Sequence, residues 1–449
     1  MTAERRILTA GITVAVGMSC VKLVSVAKDT FVAAVFGRSG PLDAYLFALG
    51  IVSFAINVIA GAFQVALVPA LIQARHEDGD EAAQRLLASA LVPALALLVA
   101  VAVALGCLAA PLIASLGGDY LRAKTPLVRH LMLLMLPTIP LGGLSLLAGS
   151  VLNASGRFAF PAMTPLATPL LTIVLLLGAR GLGVEALALG FLAGSVFELA
   201  LLAAALRAEG FALVPKWYGQ DKRLQGVARQ CAPVIAGAFL MGNSPLIDQV
   251  MASWLGAGNI SALNYGNKVV SLVLSISSGA LGSVTLPHFS LLVATGDWRA
   301  LGETFHRCRR WILVASVVGV LALFPLSNLL VGLLFERGAF QHADTLLVSR
   351  IQMFYALQVP FYLAGLLSVR VISSMARNEV LLYFGTINLA VNIAGNLLFS
   401  KFMGVAGIAL STAVVYALSD FMLATYVRRV GLRSVAARAI GGSGPSAST

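Results

Sequence analysis

The sequence predicts an all-α, polytopic membrane protein of about twelve transmembrane helices, arranged as two six-helix lobes. Three observations predict it. Apolar runs long enough to cross a bilayer recur along the whole chain, basic residues alternate between the two sides of those runs, and the second half repeats the first. Of 449 residues, 59% are hydrophobic and only 11% charged, with a mean hydropathy of +0.91. A soluble domain carries about 25% charged residues, so the bilayer surrounds most of this chain.

A span needs about 20 apolar residues. Twelve such runs fall at 7–37, 42–74, 86–116, 128–152, 159–179, 184–206, 228–255, 261–293, 311–335, 347–374, 380–400 and 404–427. Several are longer than a bilayer requires and predict tilt or extension beyond it. The first run follows a short basic N-terminus but far exceeds a signal-peptide core of about 7–15 residues, and reads as a retained span. The longest polar stretches, 207–230 and 295–310, are too short to bury a core of their own.

Charge orients the runs. One set of connections, with the termini, collects 19 of the 31 Lys and Arg residues, the other set holds eight, and Lys22, Lys28, Lys268 and Arg370 fall inside spans. By the positive-inside rule both termini are cytoplasmic, as an even number of spans requires. The net charge of +12 therefore reads as topology, with attraction to anionic membrane lipids second, and implies no nucleic acid.

The stretch from Gly183 through Arg207 aligns without gaps on Gly404 through Arg428, and Gly61-Ala-Phe-Gln-Val-Ala-Leu-Val-Pro69 parallels Gly279-Ala-Leu-Gly-Ser-Val-Thr-Leu-Pro287. The offsets, 221 and 218 residues, nearly agree. Two parallel copies with six spans each imply a pseudo-two-fold axis along the membrane normal. The expected organisation is an N-lobe over 1–207, a cytoplasmic linker over 208–230, a C-lobe over 231–430 and a flexible cytoplasmic tail over 431–449.

Charges inside spans are the candidates for chemistry, because each costs roughly 2.5–3.5 kcal/mol at the bilayer centre on insertion scales. Lys22 and Asp29 are two turns apart on one helical face, with Lys28 directed elsewhere on the circumference; Lys28 and Asp29 can alternatively snorkel at the helix end. Asp43 either caps the second span after Pro41 or sits at the mouth of a pathway. The run Asn264-Tyr265-Gly266-Asn267-Lys268 offers donors, a ring and a cation suited to phosphate or sugar. Asp248, behind a proline, suits an ion or a lysine partner, and Arg370 suits a gate or a snorkelling cation. Mid-span prolines at 137, 140, 165, 169, 325 and 360 predict kinks. The four cysteines form no CxxC pair, and those in apolar runs read as small buried hydrophobes. The sequence contains no Walker motif, metal-ligand spacing or nucleophile triad, which argues against ATP hydrolysis and points away from an enzyme.

At these residues the chain resembles the MurJ (MviN) lipid II flippases of the multidrug/oligosaccharidyl-lipid/polysaccharide (MOP) exporter superfamily. The resemblance rests on Lys22, Lys28-Asp29, Phe36-Gly37, Asp43-Ala44-Tyr45, Gly61-Ala-Phe63 and Val68-Pro69, and in the second half on Ile247-Asp248, Ala262-Leu-Asn-Tyr265, Lys268 and Leu334-Phe-Glu-Arg-Gly-Ala-Phe340. It implies a flippase of the bacterial cytoplasmic membrane that moves an undecaprenyl-pyrophosphate-linked saccharide, lipid II or a related glycan precursor, by alternating access. It further implies a monomeric transport unit without a cofactor, coupled if at all to a monovalent cation or the membrane potential. Carried over by position, Lys22, Lys28 and Lys268 are the pyrophosphate cations and Asp43 an essential acid. Each of the three is arginine in most of the family, and lysine keeps the charge while losing the bidentate fork. Asn57 stands where the family has an arginine, in a possible ion or gating position. The family usually has fourteen spans, against the twelve read here. Two alternatives remain: a cation-coupled drug or metabolite exporter of the same superfamily, which predicts a more acidic and aromatic cavity, and a non-transporting scaffold, in which the intramembrane charges are dispensable.

Overall fold

A computed structural model describes residues 3–219, 222–241, 244–375, 377 and 379–441. Seventeen α-helices run in the order α1 (Ala3–Phe36), α2 (Gly40–Asp78), α3 (Asp80–Leu116), α4 (Asp119–Ala123), α5 (Thr125–Met135), α6 (Thr138–Ala154), α7 (Ala159–Met163), α8 (Ala167–Gly178), α9 (Glu185–Ala208), α10 (Lys222–Met241), α11 (Ser244–Ser253), α12 (Asn259–Thr295), α13 (Trp298–Phe335), α14 (His342–Ala356), α15 (Gln358–Ser374), α16 (Glu379–Met403) and α17 (Val405–Gly441). No strand occurs among the described residues. The all-α, many-spanning class read from the sequence is the class observed.

Each expected run falls on helix, and four runs are broken in two. Two of the breaks have their cause in the sequence. Pro137, which has no backbone N–H, separates α5 from α6, and Pro165 sits in the short 3₁₀ turn Thr164–Leu166 between α7 and α8. Pro325, by contrast, is carried inside α13. Among the described residues nine helical stretches are long and apolar enough to cross a bilayer, ten if the bent pair Arg223–Phe239 and Ser244–Ser253 is one span. The expected runs 7–37 and 261–293 lie on the long helices α1 and α12.

Packing divides the chain into two units at places other than the repeat boundary. The first comprises residues up to Tyr265 together with Leu333–Thr345; the second comprises Gly266–Gly332 and the residues from Leu346 onward. In the first unit α2 is central, touching α3, α5, α6, α10 and α11, while α8 and α9 pair and α1 lies on α7 and α8. Small residues make this possible. Ala44, Ala48, Ala60, Ala62 and Ala66 are buried along α2 and let neighbouring backbones approach closely. Because α10 packs on α2 and α3, it joins the first unit despite its place in the second repeat.

The expected linker is strapped to the first unit by polar contacts. The Gln84 amide both accepts from the Ala212 N–H and donates to the Ala212 carbonyl, each at 3.0 Å. The Lys216 N–H donates to the Ala88 carbonyl at 3.2 Å, and the Arg223 guanidinium reaches Glu77 and Asp78 at 2.7 and 2.5 Å.

In the second unit α17 packs on α15 and α16. A core of Phe289, Leu301, Phe305, Leu367, Val371 and Leu423 lies beside a buried ion pair between Arg309 of α13 and Asp420 of α17. Of the cysteines only Cys231 is buried. Cys20 and Cys107 face outward from their helices, which corrects the expectation that apolar surroundings in sequence mean burial: a helix bathed in lipid buries only one face.

Candidate substrate and ion site

Four sequence features converge on the turn after α1. Gly37 has φ of 55° and Gly338 has φ of 59°, a left-handed conformation that glycine adopts without steric penalty. The two meet across strands of bare backbone. The Ala339 N–H donates to the Ala34 carbonyl at 2.8 Å, and a Cβ on Gly37 would run into the Ala339 carbonyl, as one on Gly338 would into that of Ala34. The Leu334–Phe340 motif thereby closes on the end of α1. Tyr265 stacks between Phe335 and Phe340, with ring centroids 5.0 and 5.5 Å away, and its hydroxyl donates to the Gly37 carbonyl at 3.2 Å. Arg38 pairs with Asp344 at 3.3 Å. Tyr265 is therefore buried inside this unit as an anchor of the turn.

Asp43 corrects the capping expectation. Ser39 holds the N-cap position of its own helix, while the Asp43 carboxylate, 2% exposed, accepts the Gly258 N–H at 2.6 Å and the Ser261 N–H at 2.7 Å. It satisfies the open first turn of α12, where the helix dipole favours negative charge.

The charges of α1 arrange themselves differently from the expected faces. Lys28 Nζ lies 2.8 Å from Asp29 Oδ1, although the two are sequence neighbours, because the flexible lysine stem swings over the carboxylate. Asp29 is buried, Lys28 is 22% exposed in its side chain and Lys22 is exposed. Lys22 lies six residues earlier, about 9 Å along the axis.

Of the cavities within the first unit, two are bordered by Asn57. One, of about 540 Å³, is lined mostly by apolar residues of α2, α10, α11 and α12, with Ser53, Asn57, Gln249 and Asn264 as its polar members. The second, of about 340 Å³, lies among α2, α6, α8 and α9 and is rich in hydroxyls and amides. Asn57 borders both, and its amide donates to the Ser53 carbonyl at 2.8 Å. Glu198 of α9 lines the second cavity and escaped the reading of the sequence. The signal was present: a carboxylate at the fourteenth place of a 24-residue apolar helix, far from the Glu185 that opens it. Asp248 of α11 is buried.

In the second unit, Asn267 and Lys268 lie half-buried on α12, with the Lys268 carbonyl accepting the Ser271 hydroxyl at 2.9 Å. The Asn267 Oδ1 is buried without a hydrogen-bond partner among the described residues, as is the Nε of Arg370 on α15. The geometry thus joins Lys28 to Asp29 and gathers Asp43 and Tyr265 at one turn, whereas Asn267, Lys268 and Arg370 belong to the other unit.

The fold resembles that of solved transporters. A lipid II flippase MurJ in an inward closed conformation superposes with a TM-score of 0.79 at 21% identity, covering 97% of this chain and 94% of that one. An inward-facing multidrug resistance transporter of the MATE family superposes with a TM-score of 0.75 at 15% identity, covering 94% and 98%. The fold is that of MOP-superfamily transporters. Within it, the family described as lipid II flippase MurJ matches residues 32–438, and the chain belongs to that family. Relatives include a probable lipid II flippase MurJ of Vibrio cholerae, 26% identical over 92% of this chain and 81% of that protein, and a lipid II flippase MurJ of Burkholderia cenocepacia, 26% identical over 92% and 82%.

Proposed function

We propose that this membrane transporter flips a polyprenyl-pyrophosphate-linked saccharide, lipid II or a related undecaprenyl-linked glycan precursor, across the bacterial cytoplasmic membrane by alternating access. The observation that carries the reading is the pair of lysines on α1, one exposed and one joined to a buried aspartate, in a chain matched by the lipid II flippase family over 32–438. A cation within a span is costly unless an anion offsets it, and a pyrophosphate is such an anion. Lys22, Lys28 and Lys268 supply its positive partners. Asp29, Asn267 and Tyr265 hold or shape those partners, while Asp43 fixes the N-terminus of the helix that bears Lys268. Asp248, Asn57 and Arg370 serve in ion binding or gating. The transport unit is a monomer of two lobes, 1–207 and 231–430, joined by the 208–230 segment, with both termini and the tail from 431 cytoplasmic and coupling to a monovalent cation or the membrane potential.

Complementation tests this reading. The chain should support growth of a strain depleted of its own lipid II flippase or of a polysaccharide-lipid flippase, and Lys22→Ala, Lys28→Ala and Lys268→Ala should each lose that support while reaching the membrane at normal levels. Full complementation by all three variants overturns it. Drug resistance conferred without rescue of either strain would establish the exporter alternative instead.

A further inference from the structure

From the cavity among α2, α6, α8 and α9 we infer that Glu198, with the oxygens around it, binds a monovalent alkali cation inside the first unit. Glu198 lies mid-way along α9, half-buried, and has no hydrogen bond or ion pair among the described residues. An ionised carboxylate at such a depth calls for a compensating positive charge. The described lining of the cavity includes no lysine, arginine or histidine, so the protein supplies none there.

Three hydroxyls facing the same space donate their protons to nearby backbone carbonyls. Ser150 donates to the Leu146 carbonyl at 2.7 Å, Thr164 to the Pro161 carbonyl at 3.2 Å and Ser195 to the Phe191 carbonyl at 2.9 Å. The Asn57 amide nitrogen is likewise committed to the Ser53 carbonyl. Each of the three hydroxyls keeps free lone pairs with its proton spent, and Asn57, with one of its two amide protons committed, keeps its carbonyl oxygen. With the Glu198 carboxylate, these oxygens suit a hard cation, which takes oxygen ligands from carboxylates, amides and hydroxyls. The charge count selects the valence, because a single carboxylate balances one positive charge and would leave a divalent ion uncompensated. As a coupling site this cavity rests on the flippase reading above, whereas the binding itself does not.

The test uses the purified full-length chain in detergent at pH 8, with NaCl or KCl titrated against choline chloride at constant ionic strength and unfolding followed by tryptophan fluorescence. One alkali cation should raise the midpoint saturably, by about 2–4 °C near full occupancy. Glu198→Gln should abolish the rise, and Ser195→Ala and Asn57→Ala should shift the half-saturating concentration upward at least several-fold. Lys22→Ala should retain the rise, which separates this site from the proposed cargo site. No difference between alkali salts and choline, or an undiminished rise in Glu198→Gln, overturns the assignment. Should Glu198→Gln fail to fold, unaltered half-saturation in both Ser195→Ala and Asn57→Ala overturns it equally.

Discussion

The carboxylate of Asp43 meets the backbone N–H of Ser261 at 2.7 Å across 218 residues of sequence. That separation equals the offset between the Gly61 and Gly279 stretches, so the two residues hold equivalent places in the two repeats. One repeat has evolved a carboxylate there, and the other presents the helix N-terminus it caps.

Asp43→Ala should therefore destabilise the protein by about 2–3 kcal/mol, the combined cost of a lost cap and a charge-assisted hydrogen bond. Asp43→Asn, which keeps one acceptor, should cost about half as much. Unfolding midpoints of the detergent-solubilised variants measure this. Equal stability of Asp43→Ala and the parent would show that the cap contributes nothing.

The apposition of Gly37 and Gly338 makes a second expectation. Alanine at either position must hold a left-handed backbone and displace a carbonyl, costing about 1–3 kcal/mol each. Their effects should be less than additive, since either substitution opens the same contact. A double variant whose loss equals the sum of the singles would place the two strains in separate structures.

The Arg309–Asp420 pair in the second unit yields a third. Removing one partner leaves the other charge buried, so Arg309→Met or Asp420→Leu alone should cost about 3–5 kcal/mol. The double variant should recover most of that loss. A double variant as unstable as the worse single would mean that packing, and not charge, is what these side chains supply.

Outside the spans, Glu336 sets a pH response. The Thr345 hydroxyl donates to it at 2.7 Å, and with His342 at 3.2 Å holds its carboxyl below the usual range. A carboxylate depressed in the folded state contributes stability that is present above its unfolded pKa, near 4.5, and is lost as pH falls through the lower folded value. Midpoints measured between pH 6 and pH 3 should therefore fall less steeply in Thr345→Val and in Glu336→Gln than in the parent. Superimposable pH profiles would exclude the contribution.

Much of the fold was readable because lipid imposes a length on every apolar run, and proline at 137 and 165 marked where helices break. The site was read in part. Lys22, Lys28 and Asp29 stood out as charges in an apolar run, yet their pairing depends on side-chain torsion, which spacing does not determine. The partner of Asp43 was hidden for another reason: the Gly258 and Ser261 N–H groups are backbone atoms, and backbone donors carry no residue-type signal. Glu198 was missed because one carboxylate hardly lowers the hydropathy of its run, and the serines, threonines and amides that give it meaning come from three other helices. The strap over 211–218 carries no repeating pattern at all, its grip resting on Gln84 and on main-chain atoms.

The closing of Leu333–Thr345 onto the turn after α1 also bears on biosynthesis. The first unit contains most of the early chain but lacks a piece until residue 345 is made, 80 residues after Tyr265. At about 5–20 residues per second, a ribosome takes roughly 4–16 seconds to cross that gap. During this interval the newborn helices stand in the membrane with the Gly37 turn uncovered and the Ala34 carbonyl unpaired. Insertion chaperones have that window in which to act, and truncations ending between 265 and 345 should be the nascent forms most readily degraded.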